Sequence, residues 1–481
     1  MRRLERGSAA GGRVAPEPGQ KDEHTPRTAQ SEKSVEEVAE DLADLQQARK
    51  DLSARSEIVA IWKRLGPGFI TGAADDDPSG IGTYSVAGAQ FGYGLLWLIP
   101  VCIPLMIAVQ EMCGRIAAIT GEGLAAVIKR HYPRWLLFGS VFLLIGANVI
   151  NIYADLNVMA AAAQMLFHGA FLLWLTVITA SIIFAQILIP YRFYVRFLKW
   201  LCLALAAYVI TALMPTVHND WGQIARHLVT PNWSNHPDYI LTVVGFLGTT
   251  ISPYLFFWQA GETVEDQVEE GREIEPGKPL RQVTQAELHF MRADTVVGML
   301  ASQAVTFFIV ICTAATLHAH GKTDINTAQD AAQALLPLGG RIAYWLFAVG
   351  ILGTGLLAIP TLAGSAAYAV AETLGWRYGL YRRYARARGF YLTLAAMILG
   401  GYLLNFVHSI SPVKGLLYSA ALNGMVAPPL IVILLLICNN RKIVKDRCNG
   451  WLSNGLGWLT VVLMSVVAVF LLWAMATGKV S

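Results

Sequence analysis

The stretch Thr71-Gly-Ala-Ala-Asp75-Asp76-Asp77-Pro78-Ser79-Gly80-Ile-Gly82 holds the residues best suited to chemistry. Three adjacent carboxylates, a proline and nearby glycines sit inside an apolar run, Leu65 to Leu98, that contains no Lys or Arg. A charged side chain in a hydrocarbon layer costs roughly 3 kcal/mol even on the mild insertion scale. Three carboxylates there call for a water-filled cavity or a bound cation. Pro78 lacks a backbone donor, and glycine tolerates non-helical backbone, so the segment reads as a helix broken near mid-membrane. The competing reading is an exposed polar turn between two short buried helices.

The chain around it decides between the two. It has 481 residues, 55% hydrophobic and only 15% charged; soluble domains carry about 25% charge. This is the composition of a polytopic membrane protein. Six scattered cysteines form no CxxC pair, which argues for packing and against a disulfide framework or zinc site. The polar N-terminus has no signal-peptide pattern. Residues 1–56 are poor in aromatics and read as a disordered cytosolic tail; 57–481 read as one transmembrane domain.

About eleven apolar spans follow, near 65–88, 95–119, 135–165, 170–190, 195–215, 239–260, 293–318, 341–372, 389–407, 415–438 and 455–476. With a cytosolic N-terminus, the inner loops hold about 19 Lys and Arg against 5 on the other side. This positive-inside bias places the C-terminus outside the cytoplasm of a cell inner (plasma) membrane. Removing the first span inverts every later loop, so the polar-turn reading fails on topology. The sixth span also breaks: Pro253 follows Gly248-Thr249-Thr250-Ile251-Ser252. Two interrupted spans in corresponding positions point to a transporter with internal repeats and a midplane site. A plain proline kink is the alternative for the second break.

At these breaks the chain resembles the NRAMP divalent metal-ion transporters. Gly66-Pro-Gly68 and Asp77-Pro78-Ser79-Gly80 are similar to the family's first-helix signature, where Asp-Pro-Gly-Asn is usual. Ala89-Gln-Phe-Gly-Tyr93 and Thr120-Gly-Glu-Gly-Leu124 resemble the flanks of its second helix. Tyr153-Ala-Asp155-Leu resembles the third-helix Thr-Asp-Leu, and Gly248 to Tyr254 the sixth-helix stretch ending Met-Pro-His. Thr361-Leu-Ala-Gly364 and the Arg386/Arg388 region resemble the eighth and ninth helices. The resemblance spans roughly residues 60–476. It implies an all-α LeuT-type inverted repeat with helices 1 and 6 broken, alternating access, and metal uptake coupled to protons.

The departures bear on selectivity. The family asparagine falls on Gly80, its methionine on Ser252, its histidines on Tyr254 and Gln259, and a third-helix acid on Val158. The pattern is similar to the NRAMP-related magnesium transporters, which also lack the methionine. A thioether favours softer metals, whereas carboxylate, hydroxyl, carbonyl and water suit Mg²⁺ and Mn²⁺; Mg²⁺ in addition keeps some of its waters. The expected substrate is Mn²⁺ or Mg²⁺.

The expected metal positions are Asp77, the Thr249 carbonyl, Ser252, Gly80 and Asp76, with Asp75, Asn423 and Gln259 as secondary candidates. Adjacent helical residues point about 100° apart, so at least one of Asp75 and Asp76 is expected to face the cytosolic vestibule. Asp155 is the expected proton carrier; the resemblance implies Arg388 as its exit partner and puts Tyr254 on the proton path. Without the histidines, proton coupling and uncoupled Mg²⁺ transport both stand as readings. Glu111 and Arg115 have the spacing of an intrahelical ion pair. Asn148, Asn151 and Asn157 line a path or bond between helices. Glu262, Glu265, Asp266, Glu269 and Glu270 are expected on a solvated inner face or vestibule. An intramembrane aspartyl hydrolase built on Asp77 and Asp155, and an amine or amino-acid transporter on the same fold, are the alternatives. The first lacks its Gly-x-Gly-Asp motif, and three aspartates at the break disfavour an anionic substrate group. No enzymatic activity, cofactor, nucleic acid or obligate protein partner is expected. No nucleotide-binding loop is present.

Overall fold

The computed structural model describes residues 67–189, 205–269, 283–407 and 411–477, and among these all regular structure is helical. The expected tail, 1–56, and much of the span 195–215 lie outside the described residues.

The first span is two helices, α1 (Pro67–Asp75) and α2 (Pro78–Phe91), parted at Asp76 and Asp77. α3 (Leu98–Thr120) ends on the left-handed Gly121 and leads through the short α4 (Leu124–His131) to α5 (Arg134–Phe167) and α6 (Phe171–Leu188). α7 (Ala206–Leu213) is the described end of the fifth span, and α8 (Trp221–Val229) lies in the following loop. The sixth span is again double, α9 (Pro237–Thr250) and α10 (Pro253–Glu269), parted at Ile251 and Ser252. α11 (Gln285–Thr316) opens with a capping box, Thr284 with Glu287. α12 (Gly340–Leu374), α13 (Arg388–Leu404), α14 (Pro412–Cys438) and α15 (Trp451–Ala476) complete the set. Eight stretches among the described residues are long and apolar enough to cross a membrane. The broken first span, α7 and the 17-residue α13 stand at the remaining expected positions.

Burial separates the centre from the rim. The broken sixth span is buried throughout its apolar window, whereas α6 and α15 leave most of theirs exposed. Val462, Val466, Val469 and Leu472 form an exposed apolar stripe on α15, as a lipid-facing helix requires. α11 packs along both α1 and α2 and so splints the first break; α9 lies on α14, and α12 on α5.

Small residues set the closest contacts. A methyl group on Gly72 would come within 2.3 Å of the Gly298 carbonyl oxygen, and one on Gly248 within 2.0 Å of the Ala420 carbonyl oxygen. No side chain fits at either crossing, so backbones meet there and bring both breaks against neighbouring helices.

At the end of the bundle around Arg447, charged groups tie elements together. Glu111 pairs with Arg115 (3.1 Å) and with Arg292 (2.8 Å), and Arg115 also donates to the Arg447 carbonyl, so the expected ion pair is a structural network. Glu265 corrects an expectation. Its carboxylate is buried and accepts from the Leu380 amide (2.6 Å), the Tyr381 amide (3.1 Å) and the Tyr368 hydroxyl. Charge on that stretch of α10 clasps the segment after α12, while Asp266 is the solvated residue.

Candidate metal site at the paired helix breaks

Each proline deletes the N–H that would bond the carbonyl four residues earlier. Pro78 therefore frees the Ala74 carbonyl, and Pro253 frees the Thr249 carbonyl. Hydroxyls take both: Tyr254 donates to Ala74 O at 3.0 Å, and Ser252 to Thr249 O at 2.8 Å and Gly248 O at 2.7 Å. The second break thus caps the first, since Tyr254 belongs to α10 and Ala74 to α1, and Ser252 caps its own break. Ser79 and Thr249 add a second bridge, hydroxyl to hydroxyl at 3.3 Å.

Asp77 sits between them as the N-cap of α2. Its Oδ1 accepts from the Gly80 amide at 2.6 Å and the Ser79 hydroxyl at 2.7 Å. Its Oδ2 accepts longer bonds, from Asn151 at 3.3 Å and Tyr254 at 3.4 Å. A carboxylate offers about four lone-pair sites, so this one is fully occupied. A cation entering on Oδ2 displaces the two long contacts and leaves the short, cap-forming pair in place. The buried Asn151 Oδ1 has no hydrogen-bond partner among the described residues, so the same side chain has an acceptor to offer the ion. The donor set is carboxylate, amide oxygen, hydroxyl and freed carbonyl, all hard oxygens that fit an Mg²⁺- or Mn²⁺-like cation.

The other expected residues fall into place unevenly. Gly80 lies against the Thr249 hydroxyl: a methyl group there would come within 3.3 Å of it. Asn423 is fully buried on α14, both of its polar atoms lack partners, and its neighbour Gly424 packs on Gly248 beside the second break. Gln259 is buried but lies further down α10, where Thr71 donates to it at 2.6 Å. Asp155 is fully buried on α5, one helical turn beyond Asn151, close to Asp77 and the Ser79 amide; neither of its oxygens makes a hydrogen bond of ordinary geometry.

Asp75 and Asp76 differ from expectation. None of the three aspartates faces solvent, the most exposed being Asp76 at 5%. Instead of diverging, Asp75 and Asp76 both turn to Ser302 of α11 and away from Asp77's ligand set. The reason is local. α1 ends at Asp75 and Asp76 forms a bend, so helical angular spacing no longer applies between them.

Arg388 is also corrected. Gly401 of α13 packs on Ile152 and the Tyr153 amide of α5, at the level of Asp155. Arg388 stands thirteen residues away on the same helix, exposed, and roughly 20 Å distant at 1.5 Å per residue. The structure does not bring it to Asp155.

Asn151 was legible only as a path-lining or interhelical residue, although its i,i+4 spacing to Asp155 places both on one face. The freed Ala74 carbonyl was also derivable, from Pro78 alone. Ser302 carried no local signal.

Comparison with known proteins agrees with this architecture. The family model described as Nramp, natural resistance-associated macrophage protein-like, matches residues 68–474. The divalent metal cation transporter MntH of Caldanaerobacter subterraneus subsp. tengcongensis is 25% identical over 448 residues, covering 90% of this chain and 98% of that protein. MntH of Chromohalobacter salexigens is 25% identical over 449 residues, covering 91% and 97%. The crystal structure of the Eremococcus coleocola manganese transporter, in complex with an aromatic bis-isothiourea substituted compound, shares the fold. Its TM-score is 0.66 at 18% identity over 85% of this chain and 86% of that one.

Proposed function

The chain belongs to the Nramp family, and from that premise we propose that it carries a divalent metal cation across the membrane by alternating access. It is a transporter and not an enzyme. The observation that carries the site reading is the meeting of two helix breaks around Asp77, deep in the protein, with hydroxyls bridging them. Asp77 is the anionic ligand. The Thr249 carbonyl, Ser252 and Asn151 Oδ1 supply neutral oxygens, Gly80 supplies room, and Asn423 stands beside them with its amide unpaired. The absence of a thioether at Ser252 favours Mn²⁺ or Mg²⁺ over softer metals. The N-terminus is cytosolic on the distribution of Lys and Arg, and uptake into the cytoplasm is the direction the family resemblance implies.

Asp155 is the proton carrier in this reading, because it is a buried carboxylate close to Asp77 with no cation paired to it among the described residues. In this reading the Tyr254 hydroxyl acts as a tether between Ala74 and Asp77. Uptake of Mn²⁺ and Mg²⁺ into proteoliposomes, with internal pH followed, tests both parts. Asp77→Ala is expected to abolish uptake; undiminished transport in it refutes the site. Asp155→Asn is expected to lose acidification while downhill metal flux persists. Acidification unchanged in that variant removes Asp155 from the coupling.

A further inference from the structure

A second buried polar pocket lies on the other side of the first break, between α1, α2 and α11. The Gly72–Gly298 crossing sets its register. One turn further along each helix, Asp75 and Asp76 meet Ser302, whose hydroxyl lies 2.6 Å from Asp75 Oδ2 and 3.2 Å from Asp76 Oδ1. A hydroxyl carries one proton, so it satisfies one carboxylate at a time. Among the described residues, Asp75 Oδ1 is buried with no hydrogen-bond partner. Among the described residues, neither carboxylate forms an ion pair with Lys, Arg or His. A separate observation comes from α11. Thr306, one turn beyond Ser302 on the same face, is fully buried, and its Oγ1 makes no hydrogen bond of ordinary geometry. It lies beside the Tyr84 hydroxyl, which bonds Thr250 at 3.1 Å and neighbours both carboxylates.

We propose that this pocket is a second cation site, in which the carboxylates of Asp75 and Asp76 and the hydroxyls of Ser302 and Thr306 hold an oxygen-preferring divalent ion. Two carboxylates and two hydroxyls with no amine, imidazole or thioether form a hard donor set. A doubly charged ion matches the charge of the two carboxylates in their ionised form, which the interior disfavours without a cation. Bound there, the ion ties the end of α1 to α11, while the ion at Asp77 ties α2 to α5 and α10. The two sites face opposite sides of one helix end, and this proposal stands or falls separately from the assignment of Asp77.

The test is Mn²⁺ binding to the purified full chain in detergent, read from loss of the free-ion electron paramagnetic resonance signal. Wild type is expected to take up a pair of ions and Asp77→Ala a single one. In the Asp77→Ala background, Asp75→Asn with Asp76→Asn is expected to remove the remaining ion. Ser302→Ala keeps both carboxylates and guards against a folding failure of the double variant; it is expected to weaken the remaining site by about tenfold or more. Excess Mg²⁺ is expected to displace that ion. No ion in a folded Asp77→Ala, or a remaining ion indifferent both to Asp75→Asn with Asp76→Asn and to Ser302→Ala, overturns the second site. Failure of the Asp77 assignment looks different, since transport then survives Asp77→Ala.

Discussion

Tyr254→Phe separates a tether from a ligand. The substitution keeps the ring, which is buried at 1% exposure, and deletes one hydroxyl. That hydroxyl spans the Ala74 carbonyl at 3.0 Å and Asp77 Oδ2 at 3.4 Å. In the ion-free protein it covers the carbonyl that Pro78 leaves bare and fills a lone pair the cation needs. Binding must displace its longer arm. Removing a net hydrogen bond costs about 0.5–1.5 kcal/mol. If that cost falls on the empty site alone, ion affinity rises by about 2- to 12-fold, at tenfold per 1.4 kcal/mol. The bare Ala74 carbonyl becomes a further donor for the ion, which pushes in the same direction. The expected result is a lower KM for Mn²⁺ in proteoliposomes, tighter Mn²⁺ binding by calorimetry, and lower maximal flux because release is harder. Weaker binding of the same size would mean that the hydroxyl is itself a ligand, and the tether argument would be refuted.

Other substitutions probe the frame. Gly248→Ala puts a methyl group 2.0 Å from the Ala420 carbonyl and 2.3 Å from the Gly424 amide, both backbone, so it is expected to cost about 3 kcal/mol or more and to lower the midpoint of thermal unfolding in detergent. An unchanged midpoint would show that α9 and α14 slide apart freely. Ser252→Met restores a thioether beside the second break and is expected to raise Cd²⁺ uptake relative to Mg²⁺; an unaltered ratio would remove that position from the ligand set. Glu265→Gln halves the charge-assisted clasp on Leu380 and Tyr381. It is expected to increase labelling of a Tyr381→Cys reporter and to speed transport if α10 must leave α12 during the cycle; slower transport with unchanged labelling would argue against that movement.

Much of the protein was legible along the chain. Apolar length marked the spans. Pro78 and Pro253 marked where two of them part, because a missing N–H and a freed carbonyl are local facts of covalent structure. Asp77 as the cap of α2 follows from its place just before that proline. The oxygen character of the proposed site follows from residue type at Asp77, Ser252 and Thr249. Which groups stand opposite these positions was not local. Asn151 of α5 reaches Asp77, while Arg388 does not reach Asp155, because helix crossings fix the axial level of every residue, and Gly401 on Tyr153 puts Arg388 some 20 Å away. Asp75 and Asp76 turn to Ser302 because Gly72 and Gly298 let two backbones touch one turn below. Periodicity assigns a side chain to a face of its own helix. The register between helices is set by where backbones can approach most closely, and that register exists only once distant parts of the chain have packed.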